Sequence, residues 1–247
     1  MKIASFIKPA HFLLLPVICM ITMMVACTED EKIEPDYTKV YHVKKKSIES
    51  VSQGITAQQY YNYEYSENGK ITKVTWDNPF GRDIYEYLYN GAASITIIHS
   101  SDYNSGDTTL LGLNGSGLVV SMDNQQQKRI TRYRYDGQGY CVYSKYSEYG
   151  ADTSDIVQVI ETAEFTYIDG NLILEKRVYN ENMQGSIQNY YYKDKINIAG
   201  NSNTGMDFFG KSSKNLLKTA AAVDEFDAEG RLTKRSEGET IYTYEYY

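Results

Sequence analysis

The chain repeats one short pattern: a tyrosine-bearing run of period two, a glycine turn, and a second run that returns. Tyr61-Asn62-Tyr63-Glu64-Tyr65 leads into Asn68-Gly69, and Ile71 to Trp76 comes back. Tyr85 to Tyr89 meets Asn90-Gly91 and then Ser94 to Ile98, and Leu110 to Leu113 meets Asn114-Gly115 and then Leu118 to Met122. Arg132 to Tyr135 turns at Asp136-Gly137, and Ala163 to Ile168 turns at Asp169-Gly170. Near the end, Val223 to Phe226 and Leu232 to Arg235 flank Glu229-Gly230, and Glu237-Gly238 leads into Ile241 to Tyr246. Asn-Gly and Asp-Gly favour hairpins because both turn residues must take positive φ, which Gly and Asn tolerate. Alternation in twos is the period of a strand with one packed face. Consecutive hairpins in one chain most simply form a meander. The expectation is an all-β domain, an antiparallel β-meander of consecutive hairpins that makes a curved sheet or half-open barrel.

Lys39 to Val51 reads as the first strand, and Ile187 to Tyr192 with Lys195 to Ile198 as a further pair. One stretch, 201–222, breaks the pattern. Met206, Phe208, Phe209, Leu216 and Leu217 offer apolar contacts there, while Gly205, Gly210 and Ser212-Ser213 interrupt them. A short helical or irregular segment is expected, with a helix over about Ser213 to Thr219, plugging one end of the sheet.

Tyrosine occurs 25 times, every time after residue 26. Its ring can pack while its hydroxyl stays wet, so it suits strands whose face is incompletely covered. An excess on this scale marks either a thin core or a surface on which a ligand stacks.

The N-terminus carries an address. Lys2 and Lys8 precede an apolar run, Phe12 to Ala26, about as long as the apolar region of a signal peptide. It contains Pro16 and is short for a membrane span. Met24-Val25-Ala26-Cys27 resembles the lipobox of bacterial lipoproteins. The resemblance implies a signal peptide over 1–26, lipid on Cys27, and membrane anchoring through acyl chains, each buried methylene adding roughly 0.8 kcal/mol. Glu29-Asp30-Glu31 resembles the acidic export tag of Bacteroidetes-type surface lipoproteins. The division expected is a signal peptide 1–26, an acidic tether 27–36 and a single β-domain 37–247. The location expected is the outer membrane, with the domain at the cell surface or else facing the periplasm.

Loss of Lys2 and Lys8 with the signal takes the net charge from −7 to −9. Nucleic acid requires clustered Lys and Arg, and the only basic run is Lys44-Lys45-Lys46, so nucleic acid is not an expected partner. Cys141 is then the single thiol of the mature domain and has no partner for an intramolecular disulfide. It reads as a small, half-buried strand residue. Oligomeric state is not legible.

Two C-terminal tracts, Phe209 to Lys218 and Glu225 to Lys234 followed by Tyr242 to Tyr246, resemble an uncharacterised family of Bacteroidetes-type tyrosine-rich β-repeat lipoproteins, a domain of unknown function. The hairpins are also distantly similar to tyrosine-aspartate repeat proteins, without their strict period. The resemblance implies an all-β domain on a lipid anchor and brings no catalytic residues.

No constellation carries a known chemistry. His42 and His99 sit in strand-like runs with no second His or Cys at ligand spacing. Asp102, Asn104 and Asp107 alternate like part of a calcium loop, but Gly112 stands where the bidentate glutamate belongs. Glu161, Glu164 and Glu175 supply carboxylates for a hydrolase pair, whose required separation is not set by spacing in sequence. No cofactor is expected. The leading reading is a non-enzymatic, lipid-anchored binding or structural module. It would present Trp76, Tyr61, Tyr63 and Tyr65 to a glycan or protein ligand. The alternatives are a periplasm-facing factor that shields an apolar ligand or partner, and a carboxylate-pair hydrolase.

Overall fold

The computed structural model describes residues 40–103, 106–150, 156–180, 183–197 and 200–247, without the side chains of residues 156, 157 and 196. The signal segment 1–26, Cys27, the tether 27–36 and Asn104 lie outside the described residues. The strands in chain order are β1 Val43–Ser52, β2 Ile55–Tyr65, β3 Ile71–Asn78, β4 Gly81–Asn90, β5 Ser94–Ser101 and β6 Asp107–Leu113. Next come β7 Val119–Asn124, β8 Arg129–Tyr135, β9 Cys141–Tyr149, β10 Ile156–Ile168, β11 Asn171–Tyr179 and β12 Met183–Gln188. β13 Tyr191–Ile196, β14 Asn215–Leu217, β15 Ala222–Phe226, β16 Leu232–Glu237 and β17 Thr240–Tyr246 complete the set. One 3-10 turn, Asp207–Phe209, lies between β13 and β14.

Fifteen strands form one antiparallel sheet in the order β12 down to β1, then β17, β16 and β15. The meander is as expected, and the sheet does not close into a barrel. The glycine turns are where the sequence puts them: Gly69, Gly91 and Gly170 all have positive φ. The first strand starts at Val43, with Val40 to His42 before it outside any strand and Lys39 outside the described residues.

Two expectations are corrected. Ile187 to Tyr192 and Lys195 to Ile198 do not pair with each other. β12 pairs with β11, whereas β13 pairs with β14, Tyr191 opposite Leu217 and Ile196 opposite Asn215. Nor is Ser213 to Thr219 a helix, since β14 occupies its centre. Leu216 is buried against Leu232, in a cluster with Tyr192, Phe226, Tyr244 and Tyr246. That single anchoring leucine outweighs the weak helix propensity of seven residues, too few to hold a helix without tertiary help.

The segment that breaks the hairpin pattern plugs one end of the sheet. The buried Phe208, with Phe209 and Met206, packs on Ile71, Ile95, Leu111 and Val119 and on the rings of Tyr87, Tyr89 and Tyr133. Its backbone is tied around the rim: Val43 N–H donates to the Asn203 carbonyl, and Lys211 N–H to the Gly139 carbonyl. Asn203 Oδ1 accepts from Tyr41 N–H at 2.7 Å. Two glycines let it approach this closely. A Cβ on Gly205 would lie 2.7 Å from the Ile71 nitrogen, and one on Gly210 would lie 2.6 Å from the Gly139 oxygen, both at positive φ. Backbone cannot yield as a side-chain tip does, so only glycine fits either place.

The plug also shows that the sheet curls. Asn215 N–H donates to Asn171 Oδ1 on β11 at 2.8 Å, while Arg235 Nη2 on β16 donates to the Leu217 carbonyl at 2.7 Å. Along the sheet, β11 and β16 are twelve inter-strand steps apart, roughly 58 Å if flat. Asn215 and Leu217 are two residues apart, at most about 7 Å. Both contacts are met only if the sheet bends round, so that the β13–β14 ribbon bridges the gap between its two ends.

Candidate ligand-binding face

Strand alternation sorts the tyrosines onto the plugged face. Tyr63 opposes Val74, and Val74 opposes Tyr85. One row along, Tyr61 opposes Trp76 and Trp76 opposes Asp83. Near the plug these rings are core. Tyr65 donates its hydroxyl to the Val43 carbonyl at 2.8 Å, and Tyr89 to the Ile71 carbonyl at 2.9 Å. Burial, with smaller contributions from neighbouring groups, pushes the Tyr63 and Tyr89 hydroxyls up to about 12. They therefore remain donors at neutral pH. Many of the tyrosines thus fill the sheet with rings, and those of Tyr65, Tyr89, Tyr191 and Tyr246 set their hydroxyls on backbone carbonyls, whereas the buried Tyr135 hydroxyl meets no hydrogen-bond partner among the described residues.

Away from the plug the same face changes character. Tyr61 and Trp76 stack with centroids 5.6 Å apart and planes 7° apart, and Trp76 Nε1 donates to Gln59 Oε1 at 3.2 Å. Both side chains are half-buried. The four aromatic residues singled out from sequence therefore divide. Tyr61, Tyr63 and Tyr65 all pack against the buried cluster, with Tyr65 also bonded to the rim, whereas Trp76 joins through its stack on Tyr61.

Beside that pair lies a buried polar cluster. Asp83 is 2 % exposed. Its Oδ1 is 2.8 Å from His99 Nε2, and its Oδ2 accepts from the Tyr103 hydroxyl at 2.5 Å. The His99 ring stacks on Tyr85 at 4.6 Å and turns Nδ1 towards Asp107 Oδ2 at 3.7 Å. Asp107 in turn accepts from Asn124 Nδ2 at 3.0 Å and from Gln127. Burial alone would raise the Asp83 carboxyl, but hydrogen bonds from Tyr103, His99 and Ser101 outweigh it and hold it below the usual carboxylate range. A folded value below the unfolded one stabilises the protein above the ordinary carboxylate pKa, and that contribution is lost as pH falls through the folded value. Asp83→Asn is expected to lower stability at pH 7 by about 2 kcal/mol. The gap from wild type should narrow as pH drops below about 4. Denaturant midpoints of both proteins between pH 3 and 8 check this, and a pH-independent gap would contradict it.

The sequence reading passed over Asp83, although parity marks it. It continues the series Tyr89, Tyr87, Tyr85 onto the packed face, where a carboxylate needs partners. His99 is a packed strand histidine. Of the calcium-like set, Asp102 accepts from Arg82 N–H at 3.1 Å and Asp107 serves the His99 cluster. Among the described residues no group of three or more His, Cys, Asp or Glu is placed to hold a metal ion. Glu161 and Glu175 do meet on one face, but Arg177 lies between them and donates to both. A shared guanidinium makes this an ion-pair triad. Glu164 is exposed. Cys141 is half-buried on β9, and burial raises its thiol.

No family model matches the chain, and no curated protein matches it. Among solved structures, a porin-like protein from Bacteroides uniformis superposes with a TM-score of 0.62. The match covers 83 % of this chain and 98 % of that one, at 10 % identity. The two share a fold. A membrane-crossing barrel needs closure and an outward apolar band. Here the sheet is open, and its unplugged face on β1 to β4 carries Lys45, Glu49, Gln58, Glu64, Lys73, Arg82 and Glu86. Further along the same face Leu88, Ile98 and Leu110 are exposed. A shallow groove of about 480 Å³ between β10, β11 and β12, lined by Thr162, Lys176, Val178 and Gln184 among others, also contains no aromatic ring.

Proposed function

We propose that this chain is a lipid-anchored outer-membrane protein of the Bacteroidetes type, held by lipid on Cys27, that works as a non-enzymatic binding module at the cell surface. The lipobox-like and acidic-tag residues support the anchor and its side of the membrane. The fold shared with a porin-like Bacteroides protein is compatible with an envelope setting. The observation that carries the binding role is the half-buried Tyr61–Trp76 stack, in which Trp76 lies at the border of the packed cluster. Flat aromatic faces of this kind pack on sugar rings and on peptide side chains. The shielding of an apolar ligand under the plug is not favoured, because Phe208, Phe209 and Met206 fill that interface.

The test is a glycan and peptide screen of the purified protein, repeated with Trp76→Ala. A ligand lost at least tenfold in the variant, about 1.4 kcal/mol, supports the reading. Ligands that bind both proteins equally would remove Trp76 from it. Protease shaving of intact cells, with a periplasmic protein as control, separates surface from periplasm. Survival of the domain until the outer membrane is opened would reverse the proposed side.

A further inference from the structure

Lys46 points onto the plugged face, directly opposite Tyr61 on β2 and Tyr244 on β17. Its ammonium lies 5.7 Å from the Tyr61 ring centroid and 5.5 Å from that of Tyr242. Among the described residues it has neither an ion-pair partner nor a hydrogen-bond partner, and its side chain is half-buried. The neighbouring lysine on the other face differs, for Lys45 reaches Glu245 at 4.0 Å. Desolvation lowers the Lys46 pKa, as expected of a cation taken from water without a counter-charge. Cation–π contact offsets part of that cost, on the order of 0.5–2 kcal/mol. It supplies no hydrogen-bond acceptor, so the three donors of the ammonium remain unanswered by protein.

The register places this cation in a defined row. Reading across the strands it runs Tyr244, Lys46, Tyr61, Trp76, Asp83. Lys46 is two inter-strand steps from Trp76, about 10 Å, a span that a short oligosaccharide bridges. The carboxylate at the end of the row, Asp83, is buried and bonded to His99 and Tyr103, and so does not neutralise Lys46. An aromatic platform with an adjacent unanswered ammonium suits a ligand that has both a ring and a negative charge.

We propose that the row Lys46–Tyr61–Trp76 recognises an acidic saccharide, its sugar ring packed against Trp76 and its carboxylate or sulfate paired with the Lys46 ammonium. This rests on the binding role proposed above and names its ligand class. The test uses the full-length protein and four probes: oligogalacturonate, its neutral methyl ester, a sulfated chondroitin oligosaccharide and a sialyl-oligosaccharide. Lys46→Met keeps the stem and removes the charge. At least one acidic probe should bind wild type, weaken tenfold or more in Lys46→Met, and weaken as salt is raised. Trp76→Ala should weaken it independently, and for oligogalacturonate the methyl ester should bind worse than the acid. If a saccharide binds and is lost in Trp76→Ala but not in Lys46→Met, the acidic specificity is overturned while the binding role stands. If no acidic probe binds, the proposal falls. A peptide or neutral glycan captured through Trp76 in the broader screen would then keep the binding role alone. A near-native circular dichroism spectrum and melting profile of Lys46→Met ensures that any loss reports recognition.

Discussion

Phe208→Ala is expected to cost about 3–5 kcal/mol, the usual range for emptying a buried phenylalanine site. The ring is 7 % exposed and sits at the centre of the plug, against Tyr87, Tyr89 and Phe209. Its removal leaves a cavity that rigid strands below cannot collapse to fill. Because the plug is also bonded to the rim through Asn203, Lys211 and Asn215, the loss should appear in two places. The denaturant midpoint should fall. Amide exchange should accelerate across residues 200–217 first, and across β3 to β7 less. A midpoint within about 0.5 kcal/mol of wild type, the range of ordinary surface substitutions, would show that the plug is not part of the cooperative core.

Arg235→Ala should be comparably severe, for an electrostatic reason. Arg235 donates to both oxygens of Asp224, Nε to Oδ1 at 2.7 Å and Nη2 to Oδ2 at 2.9 Å. The Asp224 side chain is 2 % exposed. Nη2 also holds the Leu217 carbonyl, so one guanidinium fastens β15, β16 and the bridging ribbon together. Truncation leaves a buried carboxylate without its counter-charge, a loss of about 3–5 kcal/mol. The double variant Asp224→Ala/Arg235→Ala should recover part of that loss, because it removes the stranded charge along with its partner. A double variant as unstable as the sum of the two single ones would show that the pair contributes through packing alone.

The turns and face assignments were legible because each rests on a local signal. Asn68-Gly69 and Asp169-Gly170 announce hairpins, and Tyr61, Tyr63 and Tyr65 share a face by parity alone. A curved sheet is expected of so long a meander, but the contacts that fix the curl, such as Asn171 with Asn215, 44 residues apart, have no local signal. The plug is expected from the interruption of the pattern and from the apolar residues inside it, Met206, Phe208 and Phe209. Its hold on the rim comes from asparagine side chains and from glycines that admit close backbone approach, which have no periodicity to read. Leu216 looked helical in isolation and became a strand because Leu232 offered it a buried seat. Trp76 was singled out, but its partners Tyr61 and Asp83 follow from register, which sequence alone does not fix.

The pairing of β1 with β17 sets an order of events for folding. Each hairpin from β2 to β12 can form as soon as its own residues are available, since its partners are sequence neighbours. The far edge of β1 must wait: Ser47 finds the hydroxyl of Thr243, 196 positions later. Closing so long a loop is entropically costly and is rewarded only when the last strand arrives. Until then the sheet carries an unsatisfied row of amides and carbonyls along a strand that ends up in its interior. The expected slow step of folding is therefore the pairing of β1 with β17, and the interval before it is when the chain is most open to mispairing with a neighbour.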